Sequence, residues 1–183
     1  MYSESVSEII DDLMFDERYP DRECMKREGL RRLLEKHLKE ASGRHKNYCR
    51  PDIPEKMILT IRKYYDADAK DEDIIGFYDN TMFGDWTDGI LFSPEGLFIR
   101  EHFPLILTTS PYTCSFPMHI PYQQIMSKKI EPTKKRLVLP LSGNVKKELA
   151  MNCNKKKMGE MIQQIVELYK RMEERKNKVK EHE

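Results

Sequence analysis

Two apolar runs, Ile90-Leu91-Phe92 and Leu97-Phe98-Ile99, stand either side of Ser93-Pro94-Glu95-Gly96, and this leaves the middle of the chain few options. Pro94 pre-sets the bend of a type I turn, and Gly96 sits at its end, where a left-handed residue is often needed. The segment therefore reads as a β-hairpin. Both arms are apolar at consecutive positions instead of alternating, which predicts strands covered on both faces or over much of the second face.

On either side of this hairpin the periodicity changes. The first fifty residues read as helical. Val6, Ile9, Ile10 and Leu13 recur at helical spacing with Ser3 or Ser5 as a cap, and Leu30, Leu33, Leu34 and Leu38 form one stripe of a second helix over 20–41. Pro20 suits the first turn of that helix, Gly29 weakens it by about 1 kcal/mol, and Ser42-Gly43-Arg44 stops it. A third helix starts near Pro54 and buries Ile53, Met57, Ile58, Ile61 and Tyr65. After the acidic connector DADAKDED come short strand candidates at 74–78, in the two hairpin arms, and at 105–109, 115–121, 128–131, 136–141 and 148–152. Ser142-Gly143-Asn144 marks a turn between the last two. Met158, Met161, Ile162, Ile165, Leu168, Tyr169 and Met172 then repeat at three and four residues, and beyond Met172 a nearly all-charged end is expected to fray.

The expected class is therefore α+β: N-terminal helices, about seven short antiparallel strands, and one long amphipathic helix closing the open end of a curved sheet. The expected divisions are a helical region at 1–66, a strand domain at 71–178 and a charged helix end at 173–183.

Composition narrows the function classes. Apolar residues make up 39% of the 183 residues and charged residues 34%, enough for one core in a soluble protein. No run approaches the roughly 20 apolar residues that cross a bilayer, and the acidic start MYSESVSEIIDDLMFDE does not resemble a secretory leader, so a cytoplasmic location is expected. Cys24, Cys49, Cys114 and Cys153 are scattered and expected to be reduced thiols. The net charge of +1 hides an asymmetry: residues 127–183 hold 16 Lys/Arg against 8 Asp/Glu, while the rest of the chain is net acidic. That split could steer an acidic partner or support head-to-tail association; a solvated basic helix is the preferred reading.

The stretch DEDIIGFYDNTMFGDWTDGILFSPEGLFIRE, followed by IPYQQI at 120–125, resembles the bacterial pleckstrin-homology-like (PH-like) domains over residues 71–172. The resemblance implies an antiparallel barrel or sandwich capped by a C-terminal helix, and a role in binding proteins, peptides or phosphoinositides without catalysis. Fold alone does not choose among those ligands. Lipid-binding members usually carry bases in the first hairpin loop. Here Thr81-Met82-Phe83-Gly84-Asp85-Trp86-Thr87-Asp88 holds two acids and no base, so phosphoinositide binding there is disfavoured.

Catalytic signatures are absent: no GxxxxGK[ST], GxSxG, HExxH or GxGxxG occurs. Asp66-Ala-Asp68-Ala-Lys70-Asp71 starts like a calcium loop but places Lys70 at a ligand position and lacks the turn glycine, so a plain connector is preferred. His45-x3-Cys49 lacks a second pair for zinc, and Asp11-Asp12 with Asp16-Glu17 lack supporting ligands. Cys114 and His119, five apart, would point to opposite faces of a strand. No cofactor or metal is expected. An enzyme using Cys114 or the acidic N-terminus is the least favoured reading.

The leading expectation is a non-catalytic protein-interaction module, with Trp86, Phe83, Tyr169 and Met172 as partner contacts and the helices as a route to homo-oligomers. Trp86 has a second and preferred reading as a plug folded over one end of the sheet. The alternative is an electrostatic binder of nucleic acid or an anionic membrane through Lys128, Lys129, Lys134, Lys135, Arg136, Lys146 and Lys147, though aromatic residues for base stacking are missing there.

Overall fold

The computed structural model describes residues 5–19, 21–43, 46–66, 68–81, 84–101, 117–126 and 130–180, with side chains to 175. Its class is α+β. Helix α1 runs Val6–Phe15 and is opened by a capping box, with the Ser5 hydroxyl accepting from Glu8 N–H and the Glu8 carboxylate returning to the Ser5 N–H. Helix α2, Arg22–Ser42, is capped by Asp21, whose carboxylate accepts from Cys24 N–H at 2.8 Å, and Gly43 follows its end at φ +66°. The cap thus lies one residue beyond Pro20, which is outside the described residues. Helix α3 spans Glu55–Tyr64, and α4 spans Lys155–Lys180.

Among the described residues, eight short strands form two antiparallel sheets. The first sheet holds β1 (Asn47–Cys49), β2 (Gly76–Asp79), β3 (Gly89–Ser93), β4 (Gly96–Arg100) and β5 (Met118–Ile120), in that order. The second holds β6 (Glu131–Pro132), β7 (Leu137–Leu141) and β8 (Val145–Leu149). A bridge between Ile125 and Leu141 ties them together. Among the described residues they do not close into a barrel, and eight strands in two sheets replace the expected shell of about seven. The 105–109 candidate lies outside the described residues, as do 115–116 and 128–129; β5 falls within the 115–121 candidate, and β6 starts at the last residue of 128–131. β8 lies at 145–149, ahead of the expected 148–152, because Val145 pairs with Leu141 directly across the Ser142–Asn144 turn. β1 falls in a stretch without strand patterning; it is made by pairing with the edge of β2.

The hairpin forms as its residues dictate. Ser93 pairs with Gly96, leaving Pro94-Glu95 as the turn, and the Ser93 hydroxyl accepts from Glu95 N–H at 3.1 Å. Gly96 sits at φ +149°, and a Cβ there would lie 2.4 Å from the Ile120 carbonyl oxygen, so both backbone and space demand glycine. The consecutive apolar arms are covered on both faces, as expected. Ile90, Phe92, Leu97 and Ile99 join the main core, while Leu91 and Phe77 join a second cluster under Met57, Ile61 and Tyr65 of the α3 segment.

That main core is continuous from end to end of the chain. Ile9, Ile10 and Leu13 of α1, the leucine stripe of α2, both sheets, and Met158 to Tyr169 of α4 belong to one cluster. Each fully buried side chain of this kind contributes about 1.5–3 kcal/mol relative to exposure. α4 packs chiefly along α2, with further contact to α1, to the turn at Tyr122–Gln124 and to β6 and β7. Instead of fraying after Met172, α4 stays helical through Lys180, held by an Arg22–Glu173 pair and an Arg175–Asp11 pair at 2.7 Å.

Candidate functional site

Helix α1 carries apolar residues beyond those its core stripe uses. Leu13 completes the buried stripe of Ile9 and Ile10; the next two residues lie off it, leaving Met14 46% exposed and Phe15 88% exposed. Packing within the chain does not account for an aromatic ring in water at the end of this helix.

Phe15 faces an open recess with Asp11, Asp12, Asp16, Glu17 and Arg18, whereas Met14 borders a separate cleft of about 150 Å³. Ile10, Leu13 and Met14 of α1, Met25 of α2 and Met172 of α4 form its apolar wall, and Arg22 and Arg175 stand at its rim. Arg175 donates to Asp11 Oδ1 at 2.7 Å and reaches the Met14 sulfur at 2.8 Å. Three methionines give the wall adaptable side chains, a property of surfaces that accommodate partner groups.

The other expected contacts divide. Met172 is half-buried and lines the cleft. Tyr169, expected on an outer face, is instead 3% exposed and packs on Tyr122 with ring centroids 4.5 Å apart, so it is a core residue. Phe83 lies outside the described residues. Trp86 is half-buried against the α3-side cluster; its indole N–H donates to the Tyr48 hydroxyl at 3.3 Å, and the two rings meet edge to face. That is the plug geometry. Met14, Phe15 and Met25 were missed. The signal was available in Asp-Asp-Leu-Met-Phe-Asp-Glu, an aromatic out of phase with its helix stripe amid acids.

The basic candidates do not form one free surface. Lys128 and Lys129 lie outside the described residues. Arg136 pairs with Glu148 at 2.7 Å, and Lys147 pairs with Glu101 at 2.9 Å. Lys134 and Lys135, on the turn between β6 and β7, are exposed, and so is Lys146 on β8. The charge asymmetry has internal complements: Arg175–Asp11, Lys157–Glu40 at 3.2 Å and Lys147–Glu101 each join the basic C-terminal part to the acidic remainder.

The connector residues are similarly committed. Arg27 binds Asp73 and Glu72, Arg62 binds Asp71, and Arg50 donates to the Ile74 carbonyl at 3.0 Å and to that of Asp71. Arg50 and Arg62 thus hold Asp71, the last residue of the segment that starts like a calcium loop, and Arg27 holds the two acids that follow it. Cys114 lies outside the described residues; His119 stacks on Phe98 with ring centroids 4.3 Å apart, its Nε2 3.2 Å from the Glu95 carbonyl oxygen. Burial pushes the Cys49 thiol up to about 12 and the Cys153 thiol to about 11, which suppresses the reactive thiolate. Among the described residues no group of three His, Cys, Asp or Glu is placed to hold a metal ion, and no helix is long and apolar enough to cross a membrane.

No family model, curated protein or solved structure matches this chain.

Proposed function

We propose that the chain is a non-catalytic protein-interaction module with a PH-like strand region, and that it engages partners through the helical end where α1, α2 and α4 converge. The PH-like part is supported by the sequence resemblance over 71–172, by two antiparallel sheets joined at Ile125 and Leu141, and by the long C-terminal helix packed over them. The observation that carries the interaction reading is the exposed Met14-Phe15 pair, of which Met14 lines a methionine-walled cleft. Exposed apolar side chains and a preformed apolar recess at one helical end are features that partner binding uses.

The test places a photo-crosslinking phenylalanine analogue at position 15, with a control at Leu59, which is 62% exposed on α3. In cells expressing the full chain, discrete crosslinked protein species are expected from position 15 and not from 59. Equal, diffuse labelling from both positions, or none from 15, defeats the reading.

A further inference from the structure

Met14 stands where the wall of the cleft meets water, and its sulfur already touches a cation. Asp11 and Met14, three residues apart, share one side of α1, and Arg175 of α4 reaches both. One guanidinium nitrogen donates to Asp11 Oδ1 at 2.7 Å, which fixes the group in place; the other lies 2.8 Å from the Met14 sulfur. Met14 is 46% exposed, whereas Met25 and Met172, the other methionines of the cleft, are half-buried. We propose that Met14 is an oxidation site, at which a peroxide transfers an oxygen atom to the sulfur and Arg175 holds that oxygen.

The step balances with hydrogen peroxide alone. An electron pair of the thioether sulfur attacks one peroxide oxygen and the O–O bond breaks. The second oxygen leaves as hydroxide and, with the proton released by the first, becomes water. The sulfur is oxidised to the sulfoxide and the peroxide is reduced. Negative charge builds on the oxygens as their bond breaks, beside a guanidinium that Asp11 has already oriented, and donors placed in advance stabilise such charge. The product gains more than the reactant. A thioether is a weak hydrogen-bond acceptor, whereas the sulfoxide is polar and is returned to methionine by sulfoxide reductases. Oxidation therefore turns part of the cleft wall from apolar to polar and ties α1 more firmly to α4. It withdraws an apolar contact that the interaction reading assigns to partners. This consequence deepens that reading and rests on it, while the oxidation chemistry stands apart from it.

Dilute hydrogen peroxide applied to the full chain, followed by peptide-level mass spectrometry over time, tests the site. Met118 and Met126 serve as internal references, being 41% and 40% exposed. Met14 is expected to form its sulfoxide about tenfold faster than either, the effect on a barrier of one hydrogen bond to a charged group. Arg175→Ala is expected to bring Met14 down to the reference rate, although it uncovers the sulfur further. A Met14 rate equal to those of Met118 and Met126, or unchanged in Arg175→Ala, overturns the proposal. At the interface, peroxide treatment is expected to abolish discrete crosslinks from position 15 in the otherwise unaltered chain and to leave them in Met14→Leu. Crosslinks that survive oxidation of Met14 overturn its control of partner binding. If position 15 gives no discrete crosslink even before oxidation, the interaction reading has failed, and the Met14 rates alone decide the oxidation site.

Discussion

A Cβ added to Gly29 would lie 2.9 Å from Leu168 Cδ2, which makes this the point where α2 and α4 approach with room for little more than a hydrogen. Leu13 Cδ1 would be 3.3 Å away, so α1 closes on the same spot. The helix-weakening glycine is therefore a packing requirement. Gly29→Ala gains about 1 kcal/mol of helix propensity but overpacks a fully buried junction at a cost of about 1–3 kcal/mol. A net loss of up to about 2 kcal/mol is expected in urea denaturation. Increased stability would show that Leu168 turns aside freely.

Asp79 gives a pH signature. The residue is fully buried at the end of β2. Its Oδ1 accepts from the Thr81 N–H at 2.9 Å and hydroxyl at 2.6 Å, while among the described residues none donates to Oδ2. Burial raises its pKa, against the opposing pull of the Thr81 bonds. The folded state then binds a proton more readily than the unfolded state, so this group lowers stability as pH rises from the ordinary carboxyl value through the raised one. Asp79→Asn is expected to flatten that slope and to increase stability at neutral pH. Urea midpoints measured between pH 4 and 7 read this directly, and a destabilised variant with an unchanged slope contradicts it.

Trp86 is expected to behave as packing. Trp86→Ala removes the edge-to-face contact with Tyr48 and the indole hydrogen bond, at a cost of about 1–2 kcal/mol. Crosslinking from position 15 should be unaffected. Full stability coupled with lost partner binding would restore the anchor reading.

Cys49 provides a chemical check on the core. With its thiol pushed up to about 12 by burial, alkylation by iodoacetamide at mild alkaline pH is expected to run about 100-fold slower than for a peptide thiol. Peptide-level mass spectrometry of native and urea-unfolded protein measures the ratio. Equal rates would mean that the α2–β1 contact opens readily.

Local chemistry accounts for the parts that were legible in the sequence. Ser5 with Glu8, Ser42-Gly43, and Pro94 with Gly96 set helix ends and a turn within a few residues of themselves, and those elements fall where expected. Consecutive apolar residues in β3 and β4 announced two covered faces. β1 was not legible because Asn47-Tyr48-Cys49 has no strand pattern; it exists through the free edge of β2, a partner about thirty residues downstream. The leucines of α2 said that a face is buried, but periodicity does not name what buries it, so the merging of the N-terminal helices with the α4 core was hidden. Of the candidate site, Met172 was legible as part of a stripe. Phe15 was passed over because its acidic neighbours drew the reading toward solubility and capping.

The pairing of α2 with α4 also orders events during synthesis. The leucines at 30, 33, 34 and 38 emerge from the ribosome more than a hundred residues before the helix that shelters them. The lid is made long after the face it covers, so the nascent chain carries an uncovered greasy stripe until α4 has emerged to shelter it.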